Sequence, residues 1–366
     1  MGITCYSSDM TYHTTNPEQE RETPMMQPGI FDWEFRSEKL DAKRDPLVKI
    51  NTIVPWESFR PLLETIREKE RKSNAGAKPY DAVMMFKILI IQSLYNLSDE
   101  GIEYQIMDRI SFMRFLGLHL HDRVPDAKTI WLFREQLTEA GLMEELFQRF
   151  DAFLKENGFS AQKGQIVDAS IVSAPIQRNS REDNTRIKNG DIPEDWDEAK
   201  KRQKDTDARW LKKNGKKYYG YKNHVTIDVK HKIVRTYDVT DASVHDSTVF
   251  EELLSTTNSS KDVYGDSAYR SEESIERLKE RNFREHLQRK GCRYKKLSKK
   301  EQQGNHTRSK IRARIEHVFG IQAMRAGTLI VRTIGLVRAR CKIGLRNLAY
   351  NMSRYTITGC YGVNWA

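Results

Sequence analysis

The stretch VYGDSAY, from Val263 to Tyr269, decides the fold, because its hydrophobic residues stop at an aspartate. Asp266 follows a glycine and precedes a serine and an alanine, so a bare carboxylate ends what reads as a short buried strand. Upstream, GQIVDASIVSAP at residues 164–175 is a β-branched run with Asp168 in its middle. The sequence therefore places two aspartates on two strands that are far apart along the chain.

Strands and helices alternate around these two segments. YKNHVTIDV, residues 221–229, and KIVRTYDVTDA, residues 232–242, predict a hairpin. A helix is predicted from Ser243, where Asp246 three residues later would complete a capping box. A strand, a helix, a short strand and a helix follow, over residues 261–269, 271–282, 283–287 and 310–322. This order is typical of a ribonuclease-H-like α/β fold, a mixed sheet flanked by helices in which the first and fourth strands are neighbours.

The region before the first strand has a helical period instead. PYDAVMMFKILIIQSLYNL, residues 79–97, is apolar nearly all round, and Ser98 is the expected N-cap of the next helix. An all-helical amino-terminal domain is predicted, suited to DNA-groove binding, dimerisation or packing. A tail and lead-in segment is predicted over residues 1–78 and this helical domain over 79–158. A ribonuclease-H-like domain with a long charged loop at 177–217 follows over 159–326, and a basic carboxy-terminal helix packed on the core spans 327–366.

Composition narrows the partner and the compartment. The chain has 366 residues, with 62 Lys and Arg against 51 Asp and Glu, and a net charge of +11. That surplus favours nucleic acid as a partner, with ribosome association or a merely basic surface as alternatives. We expect no membrane association, since no apolar run is long and uninterrupted enough for a span and the start lacks a secretory signal. Four cysteines, at positions 5, 292, 341 and 360, show no CxxC pair, so we expect a cytoplasmic protein without a disulfide framework or zinc site.

Adjacent first and fourth strands would bring Asp168 and Asp266 together, and Glu316 on the following helix offers a third carboxylate. Two like charges about 4 Å apart repel by roughly 4 kcal/mol at an effective dielectric near 20, so such a cluster predicts bound cations. Oxygen ligands without Cys or His suit Mg²⁺ or Mn²⁺, and two such ions can drive an in-line displacement at phosphorus. The plainer alternative for Glu316 is a surface ion pair with Arg312, one helical turn earlier.

Several linked motifs carry a family resemblance. VDASIVSAP, YGYKNHVTIDVKHKIVRTYDVTDASVHDSTVFEELL, VYGDSAYRS and RARIEHVFG follow KPYDAVMMFKILIIQSLYNLSDEGIEYQI and VPDAKTIWLFREQL in this order. Over residues 79–355 the chain closely resembles the DDE transposases of bacterial insertion sequences, specifically the insertion-sequence-five family. The resemblance implies that Asp168, Asp266 and Glu316 are catalytic and hold two Mg²⁺ or Mn²⁺ ions.

The same resemblance implies a substrate and a reaction. Double-stranded DNA would be cut at the element's ends, which carry inverted repeats, and the freed 3′-hydroxyl would attack target DNA. Hydrolysis and transesterification would then share one site, in a homo-oligomer assembled on DNA at the bacterial nucleoid. Two other functions stay open: a DNA-binding regulator of the same fold with decayed catalysis, and a ribonuclease-H-like nuclease that cuts without joining.

Basic residues near the third carboxylate and on the last helix are the predicted DNA contacts. Arg312 matches the arginine of the family's tyrosine, arginine, glutamate, lysine signature, but Ser309 and Ala323 stand where the tyrosine and lysine are expected. The role of the two missing side chains can be shared by Lys310, Arg314 or Arg325. The predicted DNA-binding set, which includes a basic stripe of the carboxy-terminal helix, is Arg312, Lys310, Arg314, Lys222, Arg338, Lys342 and Arg346.

Overall fold

The computed structural model describes residues 29, 32–67, 78–174, 178–213, 215–291, 296–326 and 330–359. The chain divides into two compact units, residues 1–43 and 44–366. In the first unit, helix α1 spans Asp32–Ala42 and carries acidic residues in its first turn and Lys39 in its last, an order that suits the helix dipole. The predicted polar tail before residue 29 lies outside the described residues.

Helices open the second unit. They are α2 (Pro46–Ile53), α3 (Arg60–Thr65), α4 (Ala82–Tyr95), α5 (Asp99–Asp108), α6 (Ile110–Leu116), α7 (Ala127–Glu139) and α8 (Met143–Glu156). The side chain of Asp81 caps α4 by accepting the Met84 amide at 2.8 Å, and Ser98 caps α5 as predicted. Helical packing begins upstream of residue 79, since Leu47 and Leu63 are buried, so residues 46–65 are more than a lead-in segment.

The strands form one mixed sheet. They are β1 (Gln165–Ser173), β2 (Arg209–Lys213), β3 (Lys216–Asp228), β4 (Val234–Asp241), β5 (Asp262–Gly265) and β6 (Arg284–Leu287). β1 pairs antiparallel with β3 and parallel with β5, and β5 pairs parallel with β6. β4 and β2 both pair antiparallel with β3. The predicted hairpin is confirmed as β3–β4, and so is the predicted adjacency of the first strand and the strand that leads to Asp266.

A glycine permits the close approach of β1 and β5. Gly164 has a φ of +92°, and a Cβ atom there would lie 2.7 Å from the carbonyl oxygen of Asp262. A larger residue would therefore be strained in its backbone and would also clash with the neighbouring strand. The Asn258 side chain holds the same turn, because it accepts the Gly164 amide at 3.0 Å and donates to the Gly164 carbonyl at 2.8 Å.

The charged insert is ordered, contrary to the predicted loop. It contains α9 (Arg181–Lys188), α10 (Glu198–Gln203) and β2, and the side chain of Trp196 is buried. Asp205 is buried as well and accepts the Tyr221 hydroxyl at 2.6 Å, which fastens the insert to β3. The high density of charged residues predicted a loop, but a few buried side chains are enough to order the segment.

The helix predicted from Ser243 is wrong. The amide and hydroxyl of Ser243 both donate to Asp241, at 2.7 and 2.5 Å, and only a 3₁₀ turn at Asp246–Thr248 follows. Asp246 completes no capping box, because it forms an ion pair with Lys222 at 2.8 Å. The hydrogen bonds to Asp241 and the ion pair with Lys222 therefore take the side chains that the predicted helix would have used as its cap.

The remaining helices are α11 (Glu272–Glu280), α12 (Lys299–Ala326) and α13 (Leu336–Gly359). α13 packs against α4, α8 and β4, so it touches both the helical region and the sheet. The Asn351 side chain accepts the Val234 amide at 2.9 Å and donates to its carbonyl at 2.8 Å, as a neighbouring strand would. Of the helices in the described ranges, none has the length and apolar character needed to cross a membrane.

Candidate active site

Parallel pairing brings Asp168, within β1, beside Asp266, which directly follows β5. Ile166 of β1 lies opposite Tyr264 of β5, and each aspartate is two residues further along the chain. Neighbouring strands are about 4.8 Å apart, so the two aspartates lie side by side at the point where β5 ends. We call this position the acidic edge. The element order of the sequence predicted this pairing.

The environment of Asp168 disfavours its charged form. The side chain is 16% exposed, and one carboxylate oxygen accepts the Ala169 amide at 2.9 Å. Burial raises the pKa of Asp168, the Arg312 guanidinium opposes that effect, and the neighbouring Asp266 carboxylate raises the pKa further. A cation placed between the two aspartates would remove both causes of the rise.

Asp266 has two local structural roles, at the end of a strand and at the start of a turn. It ends β5, and its carboxylate accepts the Ala268 amide at 2.5 Å, which caps a 3₁₀ turn over Ser267–Tyr269. Only one of its oxygens makes that bond, so the other is available at the edge of the sheet. The cap fixes the direction of the side chain without neutralising its charge.

Tyr269 supports the acidic pair from within the core. Its ring is buried and packs on Phe250 with 5.0 Å between centroids. Burial raises the pKa of Tyr269 well above its ordinary value, and the carboxylates of Asp168 and Asp266 add to the rise. The phenol therefore stays protonated, and its buried hydroxyl has no hydrogen-bond partner among the described residues.

Arg312 connects Asp168 with Glu316. Its Nε lies 3.5 Å from Asp168 Oδ2, and its Nη2 lies 3.6 Å from Glu316 Oε1. Both contacts are longer than a strong charge-assisted hydrogen bond, which is about 2.7–2.9 Å. Within the described ranges, no group of three His, Cys, Asp or Glu side chains is placed to hold a metal ion. The expected convergence of three carboxylates is thus incomplete: the aspartates adjoin, whereas Glu316 is linked through an arginine.

Gln288 and Ser309 fix the position of that arginine. Arg312 Nη1 donates to Gln288 Oε1 at 3.0 Å, and Gln288 Nε2 donates to Ser309 Oγ at 2.6 Å. The backbone amide of Gln288 donates to the Gly265 carbonyl at 3.1 Å, directly before Asp266. Ser309, which occupies the position where a tyrosine was expected, therefore helps to orient Arg312.

Comparison with known proteins agrees with this arrangement. A family model described as a transposase DDE domain matches residues 160–352, more than half of the chain. The chain belongs to this family. A second model, described as a transposase domain (DUF772), matches residues 34–136, which includes the helices that precede residue 79. The transposase therefore combines that helical region with a ribonuclease-H-like sheet that carries the acidic residues.

A solved structure is also similar at low identity. It is described as a cryo-EM structure of the piggyBac transposase synaptic complex with hairpin DNA. The identity is 11%, the match covers 86% of this chain and 76% of that chain, and the TM-score is 0.42. A likeness this distant does not bear on the site of the present transposase.

The acidic residues fit the divalent metal ions that the DDE family uses. Asp168 and Asp266 offer carboxylate oxygens, which are hard ligands that suit such ions. Burial raises the pKa of Asp168 although the Arg312 guanidinium opposes the rise, and a bound cation would favour the charged carboxylate. Glu316 can join the same ions only if Arg312 releases it, and its side chain, 65% exposed, is free to move.

Lys222 does not present its charge to DNA as predicted. Its side chain is buried, and its ammonium lies 2.8 Å from Asp246 Oδ1 and donates to the Val244 carbonyl at 2.5 Å. The charge is thus neutralised inside the protein. The prediction failed because strand alternation alone could not tell which face of β3 is covered.

The basic stripe of α13 is not an open surface either. Arg338 lies 2.6 Å from a carboxylate oxygen of Glu135. Lys342 and Arg346 line a cavity between α13 and the helical region. Burial lowers the pKa of Lys342 to about 8 and that of Arg346 to about 10. These three residues cannot lie together along a DNA backbone in this arrangement, because two of them face inward.

The other predicted DNA contacts lie on α12. Lys310 is exposed one turn before Arg314. Arg314 is partly buried and donates from Nη1 to the Val229 carbonyl at 2.7 Å, so its guanidinium is turned toward the end of β3. The side chain of Arg325 lies outside the described residues. On this helix Lys310 and Arg312 are therefore the predicted contacts nearest the acidic residues that retain some exposure.

Two residues of the site were missed by sequence reasoning. Tyr269 was given no role, although its position three residues after Asp266 was a usable signal. Gln288 carried no signal, because its contact with Arg312 depends on the pairing of β6 with β5. Arg312 was recognised, but as a DNA contact or a helix-surface ion pair and not as the bridge to Asp168.

Proposed function

We propose that this transposase cuts DNA at the ends of its own element and joins the freed 3′-hydroxyl to target DNA, with Asp168, Asp266 and Glu316 as catalytic carboxylates. The observation that supports this most is the adjacency of Asp168, within β1, and Asp266, directly after β5. Membership in the DDE transposase family supports the same roles. On its linked motifs, we assign the chain to the insertion-sequence-five family.

The proposed cofactor is a pair of Mg²⁺ or Mn²⁺ ions held by the three carboxylates. When bound, such ions activate an attacking oxygen and stabilise the leaving oxygen at phosphorus. Asp168 serves as a ligand in its charged form, and because burial raises its pKa, we expect a bound cation to favour that form. Gln288 and Ser309 keep Arg312 beside the acidic edge, where a guanidinium released by Glu316 is suited to contact a DNA phosphate.

Double-stranded DNA is the proposed partner, both as element ends with inverted repeats and as target. The net charge of +11 supports binding to a polyanion. Holding two ends for one joining event calls for a homo-oligomer assembled on DNA, and the bacterial nucleoid is the proposed place of action. The exposed Lys310, close to Arg312 in sequence, is a proposed phosphate contact.

The test compares cleavage by wild type and matched variants. A duplex carrying the candidate inverted repeats is incubated with Mg²⁺ or Mn²⁺ and wild type, Asp168→Asn or Asp266→Asn. Asp195→Asn is the control, since Asp195 is an exposed carboxylate paired only with Lys200 in the insert. We expect cleavage and strand-transfer product from wild type and control alone. Equal cleavage by all four proteins would sink the assignment of the aspartates.

A second function has a specific observation in its favour. Ser309 and Ala323 replace the tyrosine and lysine of the signature, which is compatible with a DNA-binding regulator whose catalysis has decayed. That reading predicts tight binding of the inverted repeats and no cleavage by wild type in either metal. Nicked DNA without any joined product would instead identify a nuclease.

A further inference from the structure

A strongly basic cavity lies away from the acidic edge. It has a volume of about 520 Å³ and lies among the α4–α5 turn, α7 and the first half of α13. Six cationic residues contribute to its lining: Arg134, Arg202, Arg332, Arg338, Lys342 and Arg346. Its lining acids are Asp99 and Glu100. The cavity shares no residue with the acidic site and was not apparent from the sequence.

Some of this charge is already neutralised. Arg134 donates to both carboxylate oxygens of Asp99, each at 2.7 Å, and Arg338 is paired with Glu135 at 2.6 Å. Glu100 is exposed at the rim and forms no ion pair with a described residue. Asp99 and Glu135 are therefore each bonded to an arginine, and Asp99 only partly opposes the lowering of the pKa of Lys342.

The deeper cations lack such partners. Lys342 makes no hydrogen bond or ion pair with any described residue. Arg346 donates from Nη2 to Asn96 Oδ1 at 3.2 Å, but its Nη1 is buried and has no hydrogen-bond partner in the described ranges. The hydroxyl of Thr333, in the same lining, is buried and unpartnered in the same sense. The ammonium of Lys342, one guanidinium nitrogen of Arg346 and the hydroxyl of Thr333 thus line one space without an acceptor among the described residues.

This arrangement costs stability unless an anion is present. Burial lowers the pKa of Lys342 to about 8, and repulsion from Arg134 and Arg346 contributes. Buried charges are stabilised by a counter-charge that also accepts hydrogen bonds. A phosphate group meets both needs, because its oxygens accept from a guanidinium fork, an ammonium and a hydroxyl together.

We propose that this cavity binds a phosphate group through Lys342, Arg346 and Thr333. Two sources share this chemistry: a phosphodiester of the DNA backbone and a free phosphate compound. The cavity is larger than one phosphate needs, so an attached sugar fits as well. The DNA source rests on the proposed function, whereas binding of free phosphate does not.

The test measures binding without cleavage, so its failure is distinct from failure of the catalytic proposal. Asp168→Asn serves as the background, and no divalent metal is added. Lys342→Met and Arg346→Met are compared with Arg340→Met, which removes one cation from the same helix, where Arg340 is paired with Asp238 outside the cavity. The probes are inorganic phosphate and a short DNA duplex, each titrated at matched ionic strength in sodium chloride.

We expect each cavity variant to weaken binding of at least one probe by about 10- to 100-fold relative to Arg340→Met, as loss of a charged hydrogen bond predicts. Weakening for the duplex, with a salt slope smaller by about one, identifies a DNA phosphate. Weakening for inorganic phosphate alone identifies a free compound. Unchanged binding of both probes would overturn the proposal.

A stability measurement separates binding from folding. Lys342→Met should melt at or above the temperature of its parent, because a buried charge without a carboxylate partner is removed. Phosphate should raise the melting temperature of the parent and leave that of the variant unchanged. A variant that melts at a lower temperature than its parent, yet is stabilised by phosphate as much as its parent is, would mark Lys342 as structural and contradict the proposal.

Discussion

Arg235 and Arg312 each bridge a pair of carboxylates in this transposase, and they do so under opposite conditions. Arg235 of β4 lies 2.7 Å from Asp151 of α8 and 3.1 Å from Asp228 of β3. Asp228 is fully buried and also accepts two backbone amides of the turn that follows β3. Arg235 donates further to the Phe159 carbonyl at 2.5 Å. This cluster, defined by Arg235, Asp151 and Asp228, is saturated with short contacts.

The bridge at the acidic edge is loose by comparison. Arg312 reaches Asp168 and Glu316 at 3.5 and 3.6 Å, and Glu316 is largely exposed. A buried, saturated pair resists any change because removing one partner leaves an uncompensated charge. The long contact between Arg312 and the exposed Glu316 can exchange at little cost. The difference teaches that one arginine locks a fold, whereas the other holds carboxylates that can still accept a different cation.

The largest expected effect is on chemistry. Asp168→Asn should lower the rate of DNA cleavage by about 10²- to 10⁴-fold, because several kcal/mol of metal-dependent stabilisation are lost. Its unfolding free energy should not fall, since a partly desolvated charge is replaced by a neutral amide. Single-turnover cleavage and a denaturant melt check the two parts. An Asp168 variant that unfolds easily would place this residue with the locking cluster.

Arg235→Met should lower the free energy of unfolding by about 3–5 kcal/mol, because Asp228 would remain buried without its counter-charge. Arg312→Met is the matched control, and there we expect a loss below about 1 kcal/mol. Urea unfolding followed by circular dichroism measures both values. Equal losses in the two variants would abolish the distinction between the clusters.

Lys342 extends the comparison to a cation that has no carboxylate partner. Its pKa is about 8 in the folded protein against an ordinary value of 10.5, so the folded chain binds fewer protons than the unfolded chain between these pH values. Stability attributable to this residue should therefore rise with pH across that window, by about 1–3 kcal/mol. Lys342→Met should lack this part of the rise when unfolding is measured at several pH values. An identical pH profile in both proteins would contradict the assignment.

The smallest effect concerns a single titration. Arg312→Gln should raise the pKa of Asp168 further, because the guanidinium that opposes the effect of burial is removed. When the pKa of a carboxyl is higher in the folded protein, its contribution to the free energy of unfolding is lost as pH rises through that pKa. This loss should therefore occur at a higher pH in the variant than in wild type. Carbon-detected NMR of the Asp168 carboxyl without metal follows the change. An unaltered titration would show that the bridge has no electrostatic role.

The aspartate pair could be predicted because it depends on topology alone. A strand, a hairpin, a crossover and a parallel strand leave few sheet arrangements, and the predicted one places Asp168 beside Asp266. Ser98 was predictable for a related reason, since an N-cap acts within three residues. In both cases no long-range side-chain contact opposes the structure that the local sequence or the topology favours.

Other features could not be read from the sequence, because they depend on which side chains meet across the fold. Lys222 pairs with Asp246 on a covered face of the sheet, and that contact also removed the predicted capping box. The spacing of Lys342 and Arg346 was recognised, but whether such a pair faces solvent or a cavity depends on how α13 packs. Periodicity gives the angle between side chains on a helix and not the direction in which the helix presents them.

The packing of α13 has a consequence for how the transposase is made. This helix follows the sheet in the chain, yet it covers apolar faces on α4, α8 and β4. During translation, all of the strands β1 to β6 are therefore synthesised before α13, the helix that covers part of their apolar surface. Nascent chains at that stage expose the apolar surface that α13 later covers. Proteins with such a late closing element are expected to depend on chaperones during translation.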